Sequence, residues 1–568
     1  MVWKRTTALK TFVAVSTVKR ALCLLLACCI AGIGPAIGAE PVGPGRTFYV
    51  DVNSLGGSCD DSNPGTASRP WRTALKAFSS AGPGDTVVFR RGIYRVTRSL
   101  HTSDLQLDPS QAAPIVFKAP AGEQAVITNL RPIPAADWKQ VAATKSGKPI
   151  FGAPASGGAR VTNLTQHGVP LRRAFCGNTR SWYEDTPPEA IDGPGEWASS
   201  LREHRVYLCT ANGEPPGDSI ELCDVRGPGA SGNLISLERD KEDRCRNLRL
   251  VFENLTFETG FHGLVIRTGF VELRQCVLRK SFGDLLNTLS GRVIVDGCDF
   301  YAFGESAIDV TTPGNGPKPA GMPPMAIRNS RFHDNVQVRS PRQKGTNGVM
   351  LKGGCADIVV EGNQFYNLRA TYGALTLGGA TSGGQSGEGF RLTARNNTFH
   401  DIAGPYVVLF SGSHDCRLVN NLICNSDVAN LILIICAKSS DPATANLRPQ
   451  VQNNIFYRNT VKRAVVSTPR GAASGLVMDH NLIAGSGNNC LLDDVEVPLK
   501  DLPQRGYQLH GVDQPPLFRD FARLDFHLTK GSPATDRGAD LRTLVPHDAD
   551  GTPRPQGQAF DIGPFELR

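Results

Sequence analysis

Glu361-Gly362-Asn363-Gln364-Phe365, Arg395-Asn396-Asn397-Thr398-Phe399, Val419-Asn420-Asn421-Leu422-Ile423, Gln452-Asn453-Asn454-Ile455-Phe456 and Asp479-His480-Asn481-Leu482-Ile483 are copies of one phrase. Turn-forming polar residues end in Asn, and a short apolar strand follows. Four looser copies precede them: Phe252 to Phe257, Arg274 to Leu278, Asp296 to Phe300 and Arg328 to Phe332. From residue 254 onward the steps between copies are 21, 22, 32, 33, 34, 24, 33 and 27 residues. A minimal step near 22 with variable extra length describes one coil of three short strands, with loops let out at a corner. A leucine-rich horseshoe would need Leu at fixed offsets, and those are missing.

Each coil also holds an alternating strand: Gly263 to Arg267, Ala307 to Thr311, Gly348 to Lys352, Ala374 to Gly378 and Tyr406 to Phe410. Period-two alternation turns Leu264/Ile266, Ile308/Val310, Val349/Leu351, Leu375/Leu377 and Val407/Leu409 inward. One outward column then reads Arg267, Thr311, Lys352, Gly378 and Phe410. The next reads Val265, Asp309, Met350, Thr376 and Val408. Successive coils lie about 4.8 Å apart, as in any sheet, so Asp309 and Lys352 become diagonal neighbours. Asn363, Asn397, Asn421, Asn454 and Asn481 should stack at one turn, bonding each other and the turn backbone. Cys276 and Cys298 fall in the same column, close enough to stack or pair. The fold predicted is all-β: a right-handed parallel β-helix, a solenoid with an N-terminal helical cap and an inserted small β-rich subdomain.

The organisation expected along the chain has five parts. Residues 1–39 read as a signal peptide: Lys4, Arg5, Lys10, Lys19 and Arg20 lead, Ala21 to Ile33 is apolar, and Gly38-Ala39 offers small-residue cleavage before Glu40. Residues 40–130 hold the cap, with a short helix at Pro70 to Phe78, and the first coils. Residues 131–235, with Trp138, Trp182 and Trp197, break the rhythm and form the insert. Residues 236–500 are the main coils, and 501–568 close the solenoid. Without the leader the formal charge falls from +8 to +3, which gives no basic surface for nucleic acid. No later stretch is long and apolar enough to span a bilayer. A secreted or periplasmic monomer is expected. Twelve of the fifteen cysteines lie beyond the leader, open either to disulfides or to burial as free thiols.

Tyr49-Val50-Asp51, Gly84-Asp85-Thr86-Val87, Gly92-Ile93-Tyr94, and the closing Ser532-Pro533-Ala534 and Asp561-Ile562-Gly563 resemble secreted β-helix proteins of the pectate-lyase-like superfamily. The resemblance spans nearly the whole mature chain. It implies the fold, and it implies a polysaccharide as partner. It leaves the reaction open, because that superfamily includes lyases, hydrolases, epimerases and non-catalytic adhesins.

Chemistry is sought on the outward face. β-Elimination from an acidic polysaccharide removes a proton beside a carboxylate, which takes a base and a cation to neutralise the developing charge. Lys352 is the candidate base, with Arg267, or a calcium ion held by Asp309, as neutraliser. The stretch 347–365 resembles the coil carrying the catalytic Lys of alginate- and chondroitin-cleaving β-helix lyases. Those enzymes place an Arg on the next strand, where this chain has Gly378. Thr311, Thr376, Tyr372 and Glu388 are the candidate substrate contacts, and His262, Asp284, His333, Asp334 and Lys344 border them. Hydrolysis is the alternative and needs two carboxylates, about 5–5.5 Å apart for retention or about 6.5–9.5 Å for inversion. Asp309 with Asp284 or Glu388 would supply them. Non-catalytic glycan binding is the third reading. The plainest alternative makes Lys352 and Asp309 a solvated ion pair contributing under about 1 kcal/mol.

Overall fold

One left-handed residue sets the corner of every repeat. Asn254, Gln275, Gly297, Asn329, Gly362, Asn396, Asn420, Asn453 and His480 all have φ between 51° and 65°. Asn and Gly tolerate that conformation best, which is why they dominate the first polar position of the repeat. The computed structural model describes residues 45–53, 59–108, 113–155, 160–174, 185–225, 232–239, 245, 247–311, 324–336, 346–379, 387–438 and 441–568. The expected leader, Trp182, Cys176 and Lys344 lie outside these residues.

Before the corner, strands from Thr47–Val50 to Val477–Asp479 build a twelve-stranded parallel sheet. After it, a 22-stranded sheet carries the other two faces of each coil, parallel in every pairing but the last, where Asn489–Leu492 meets Val495–Pro498. The chain is thus a parallel β-helix. Its interior is a continuous apolar column in which Phe300, Phe332, Phe365 and Phe399 stack ring on ring at 4.7–5.0 Å.

The residue after each corner points inward and builds a ladder. Nδ2 of Asn363, Asn397, Asn421 and Asn454 each donates to the Oδ1 of the next Asn at 2.9–3.0 Å. Asn481 passes the chain on to Gln508 Oε1 at 2.8 Å. Upstream the column continues with smaller groups: Ser330 N donates to Asn363 Oδ1, Cys298 N to Ser330 Oγ, and Cys276 N to Cys298 Sγ. Cys276 and Cys298 are buried free thiols, so they stack without pairing.

Seven strands of the third face carry the candidate site: β1 (Leu264–Ile266), β2 (Leu286–Leu289), β3 (Ser306–Thr311), β4 (Asn347–Lys352), β5 (Leu375–Gly378), β6 (Thr398–Ser411) and β7 (Asp427–Ile435). Two expectations change here. Strand β2 interposes a rung between β1 and β3 that the alternating strands read from the sequence leave out. In β6, Val408 and Phe410 register with Leu375 and Leu377, so Leu409 and Ser411, not Val408 and Phe410, continue the outward columns. That strand runs unbroken across two faces through Gly404, and the bend shifts its alternation by one residue.

Helix α1 (Ala74–Ser80) is N-capped by Thr73 and lays Phe78 on Phe117 and Phe252 of the first coils. The described residues between 131 and 225 form two small, mostly antiparallel sheets. Trp138, Phe151 and Trp197 pack there against Phe261 and Phe282 of the coil. The closing segment docks on the corner residues: Asn420 Nδ2 donates to the carbonyls of Asp561 and Gly563, and Asn453 Nδ2 to that of Ala539. Among the described residues, no helix is long and apolar enough to cross a membrane.

Candidate active site

Two outward columns run along β1 to β5. The first reads Val265, Asn287, Asp309, Met350 and Thr376, and the second, in the same register, reads Arg267, Leu289, Thr311, Lys352 and Gly378. Asp309 and Lys352 therefore sit diagonally on adjacent rungs, and their side chains meet. Lys352 Nζ donates to Asp309 Oδ2 at 2.6 Å and lies 3.1 Å from Met350 Sδ. Thr311 Oγ1 donates to Asp309 Oδ1 at 3.3 Å. The two charged side chains are only 22% and 14% exposed, so this is not the solvated pair of the plainest reading. Burial pushes the Asp309 carboxyl up to about 6; the neighbouring Asp284 charge raises it further, while Lys352 and the hydrogen bonds oppose.

This shift has a measurable consequence. A carboxyl held above its unfolded value contributes stability below about pH 4 and loses it as pH rises through about 6. At about 1.4 kcal/mol per unit, the loss across that window is at most about 3 kcal/mol. Urea midpoints at pH 4 and pH 7.5 should show the Asp309→Asn variant gaining on the parent protein over that interval. A constant difference between the two proteins would contradict the shift.

Asp284 lies behind the pair and is fully engaged. Its carboxylate accepts from Ser306 N at 3.0 Å and Asn287 Nδ2 at 2.8 Å, and its own N–H donates to His262 Nδ1 at 3.0 Å. His262, Asp284 and Glu305 bring potential ligand atoms within 4.8 Å of one another. Calcium, expected on Asp309, fits poorly. It takes about six to eight oxygens, whereas the oxygens of Asp309 and Asp284 are already used by Lys352, Thr311, Ser306 and Asn287.

The other predicted residues separate. Arg267 pairs with Glu238 at 3.0 Å and stands three rungs, roughly 14 Å, from Lys352. The rung carrying Leu289 accounts for part of that gap, and the structure does not bring Arg267 to the pair. Thr376 is buried and donates to the Tyr372 carbonyl at 2.7 Å, so these two hold each other. Glu388 is buried beneath the strand end, where Oε2 accepts from Gly353 N at 2.9 Å. His333 lies on the second face, stacked between Tyr301 and Tyr366, with its ring bonded to Asp299 and Asp334.

Gly378 follows Lys352 in its column, and its backbone explains the missing arginine. Its φ is +95°, and a Cβ there would come 2.0 Å from the Ser411 carbonyl oxygen. The next residue, Gly379, leaves the space that Lys352 fills: a Cβ would lie 2.8 Å from Lys352 Cβ. Gly378→Ala is expected to destabilise the chain by about 2–3 kcal/mol through backbone strain and this clash. An unchanged thermal midpoint would contradict the crowding.

Sequence reasoning missed a cavity of about 720 Å³ on the second face, between the coil and His167-Gly168-Val169. Two of its three Lys and Arg side chains are committed: Arg279 to Glu258 and Tyr301, and Lys280 to Glu221 and Glu258. Tyr301 presents only an edge, because Arg279 covers one ring face and His333 the other.

No protein-family model matches the chain, and no curated protein does. Solved structures do resemble it at low identity. A pectate lyase, Pel9A, is 12% identical over 93% of this chain and 98% of its own, with a TM-score of 0.46. A glycoside hydrolase is 13% identical over 78% of this chain and 94% of its own, with a TM-score of 0.43. The A-module of the Azotobacter vinelandii mannuronan C-5 epimerase AlgE6 is 15% identical over 82% of this chain and all of its own, with a TM-score of 0.40.

Proposed function

We propose that this chain is an exported carbohydrate-active β-helix protein that cleaves an acidic polysaccharide by β-elimination at the Lys352–Asp309 pair. The observation that carries the reading is the pair itself: a half-buried amine and a carboxyl of raised pKa, 2.6 Å apart on the outward face of the coil. A uronate lying across the rungs brings its own negative charge to Asp309 and favours the protonated carboxyl. The proton comes from the Lys352 ammonium, which leaves a neutral amine and a neutral acid. The amine takes the C5 proton, the C4–C5 double bond forms as the C4–O bond breaks, and the Asp309 carboxyl delivers its proton to the leaving oxygen. The pair ends as it began, ammonium and carboxylate, with no cofactor consumed. Thr311 orients Asp309 and stands where a sugar hydroxyl would pass.

Hydrolysis draws less support from the geometry, since a second carboxylate must be available to water or sugar. Asp284 and Glu388 are buried and bonded to backbone amides. The same proposal assigns residues 1–39 to an export signal, 40–130 to a cap and first coils, and 131–235 to an insert. It takes residues 236–500 as the main coils, 501–568 as the closing segment, and the working form as a monomer. A panel of uronic-acid and neutral glycans decides among the reactions. Products with new ultraviolet absorbance support elimination. New reducing ends without that absorbance mean hydrolysis, and affinity without cleavage means a binding protein.

A further inference from the structure

The last corner of the ladder differs from all others. Its left-handed residue is a histidine, and a second histidine from the closing segment lies on it: the His480 and His510 rings stack at 4.4 Å, 21° from parallel. Between them stands Asp479. Its Oδ1 accepts two backbone N–H groups, from His480 and from His510, both at 2.8 Å. That anchoring fixes the carboxylate and turns Oδ2 toward the rings. His510 Nδ1 lies 2.9 Å from Oδ2 and His480 Nδ1 3.3 Å. The second contact is not aligned for a hydrogen bond, and His480 Nδ1 is a buried nitrogen with no hydrogen-bond partner.

One carboxylate oxygen thus faces two imidazole nitrogens and satisfies one of them. Burying a polar nitrogen unsatisfied is costly, and the Asp479 oxygen that faces it is already bonded to His510. A dication would satisfy it: Asp479 Oδ2, His480 Nδ1 and His510 Nδ1 all lie within 4.8 Å of one another. Around a tetrahedral zinc ion, with bonds of about 2.0–2.2 Å, ligand atoms sit about 3.4 Å apart. The observed 2.9 and 3.3 Å lie close to that spacing. His510 is 63% exposed, so its ring is free to tilt its lone pair onto a shared ion, and a water can reach the fourth position. Two imidazoles and one carboxylate select a borderline transition dication over calcium or magnesium.

We propose that Asp479, His480 and His510 form a zinc-class metal site that staples the closing segment to the final coil. It is independent of the Lys352–Asp309 pair and of the reaction proposed there. The position gives the staple leverage. Gln508, two residues before His510, takes the last rung of the ladder from Asn481 and returns a bond to its carbonyl. An ion bound here closes a loop of about thirty residues over the open end of the solenoid, and it stabilises the folded form by mass action.

The test is zinc titration of the purified mature protein by calorimetry, with the parent chain beside His510→Ala, Asp479→Asn and a His527→Ala control. His510 is exposed, so its removal leaves the fold intact even if Asp479→Asn, which loses two backbone anchors, does not fold. The parent is expected to bind one equivalent that His510→Ala lacks or binds at least about tenfold more weakly. Cobalt(II) in place of zinc should give visible absorbance that disappears in His510→Ala and persists in His527→Ala. Zinc should raise the melting temperature of the parent and of the control only. Equal zinc binding by the parent and His510→Ala overturns the proposal, as does an equal loss in His527→Ala.

Discussion

Lys352→Met is expected to reduce cleavage of an acidic glycan by about 10³-fold, within the range that a positioned proton-transfer group contributes. The side chain is replaced by one of similar length that can neither take nor give a proton. Folding should survive, because Asp309 loses its ammonium partner yet is already pushed by burial toward its neutral form. Lys352→Arg sharpens the test. Arginine keeps the positive charge beside Asp309 but cannot supply a neutral amine near pH 7. If Lys352 works as a base, Arg is as inactive as Met. If it merely balances Asp309, Arg retains most of the activity. Initial rates of ultraviolet-absorbing product, with circular dichroism to confirm folding, separate the two cases. Full activity in Lys352→Met would remove the proposed centre.

Asn421→Ala should be among the most destabilising single changes in the coil, at about 4 kcal/mol. The side chain is wholly buried. Its Nδ2 donates to Asn454 Oδ1, Ala394 O and Val419 O at 2.9–3.0 Å, and its Oδ1 accepts both N and Nδ2 of Asn397 at 2.9 Å. Alanine leaves donors and acceptors on both neighbouring coils without partners, in a place water does not reach. In a solenoid each coil leans only on its neighbours, so the unfolding transition should also broaden as the two halves uncouple. Urea unfolding followed by circular dichroism measures both effects. A midpoint shift equivalent to under about 1 kcal/mol would show that the ladder is dispensable.

The Asn repeat was legible because two separate physical demands recur at fixed spacing. One position must adopt a left-handed backbone and the next must carry an inward amide, so Asn396-Asn397, Asn420-Asn421 and Asn453-Asn454 write both roles side by side. Cys276, Cys298 and Ser330 hold the same inward position and pass the hydrogen bonding on, so chemistry at that point is looser than the spacing. Gln508 was hidden, since it joins the ladder from the closing segment, where no repeat announces it.

The Asp309–Lys352 contact could be read from alternation alone, because period two puts both outward and the repeat puts them one coil apart. Which of their neighbours share the site could not. Placing Arg267 needed the rung of Leu286–Leu289, whose apolar phrase resembles loop sequence as much as strand. Thr376 and Glu388 are buried and held by the Tyr372 carbonyl and the Gly353 amide, contacts that packing sets and periodicity does not. Local patterning therefore carries the fold of this chain, because a solenoid is built from contacts between nearest coils. The composition of the outward face around Lys352 was decided only in three dimensions, where burial raises Asp309, engages Asp284 and leaves the Gly378 rung no room for a side chain.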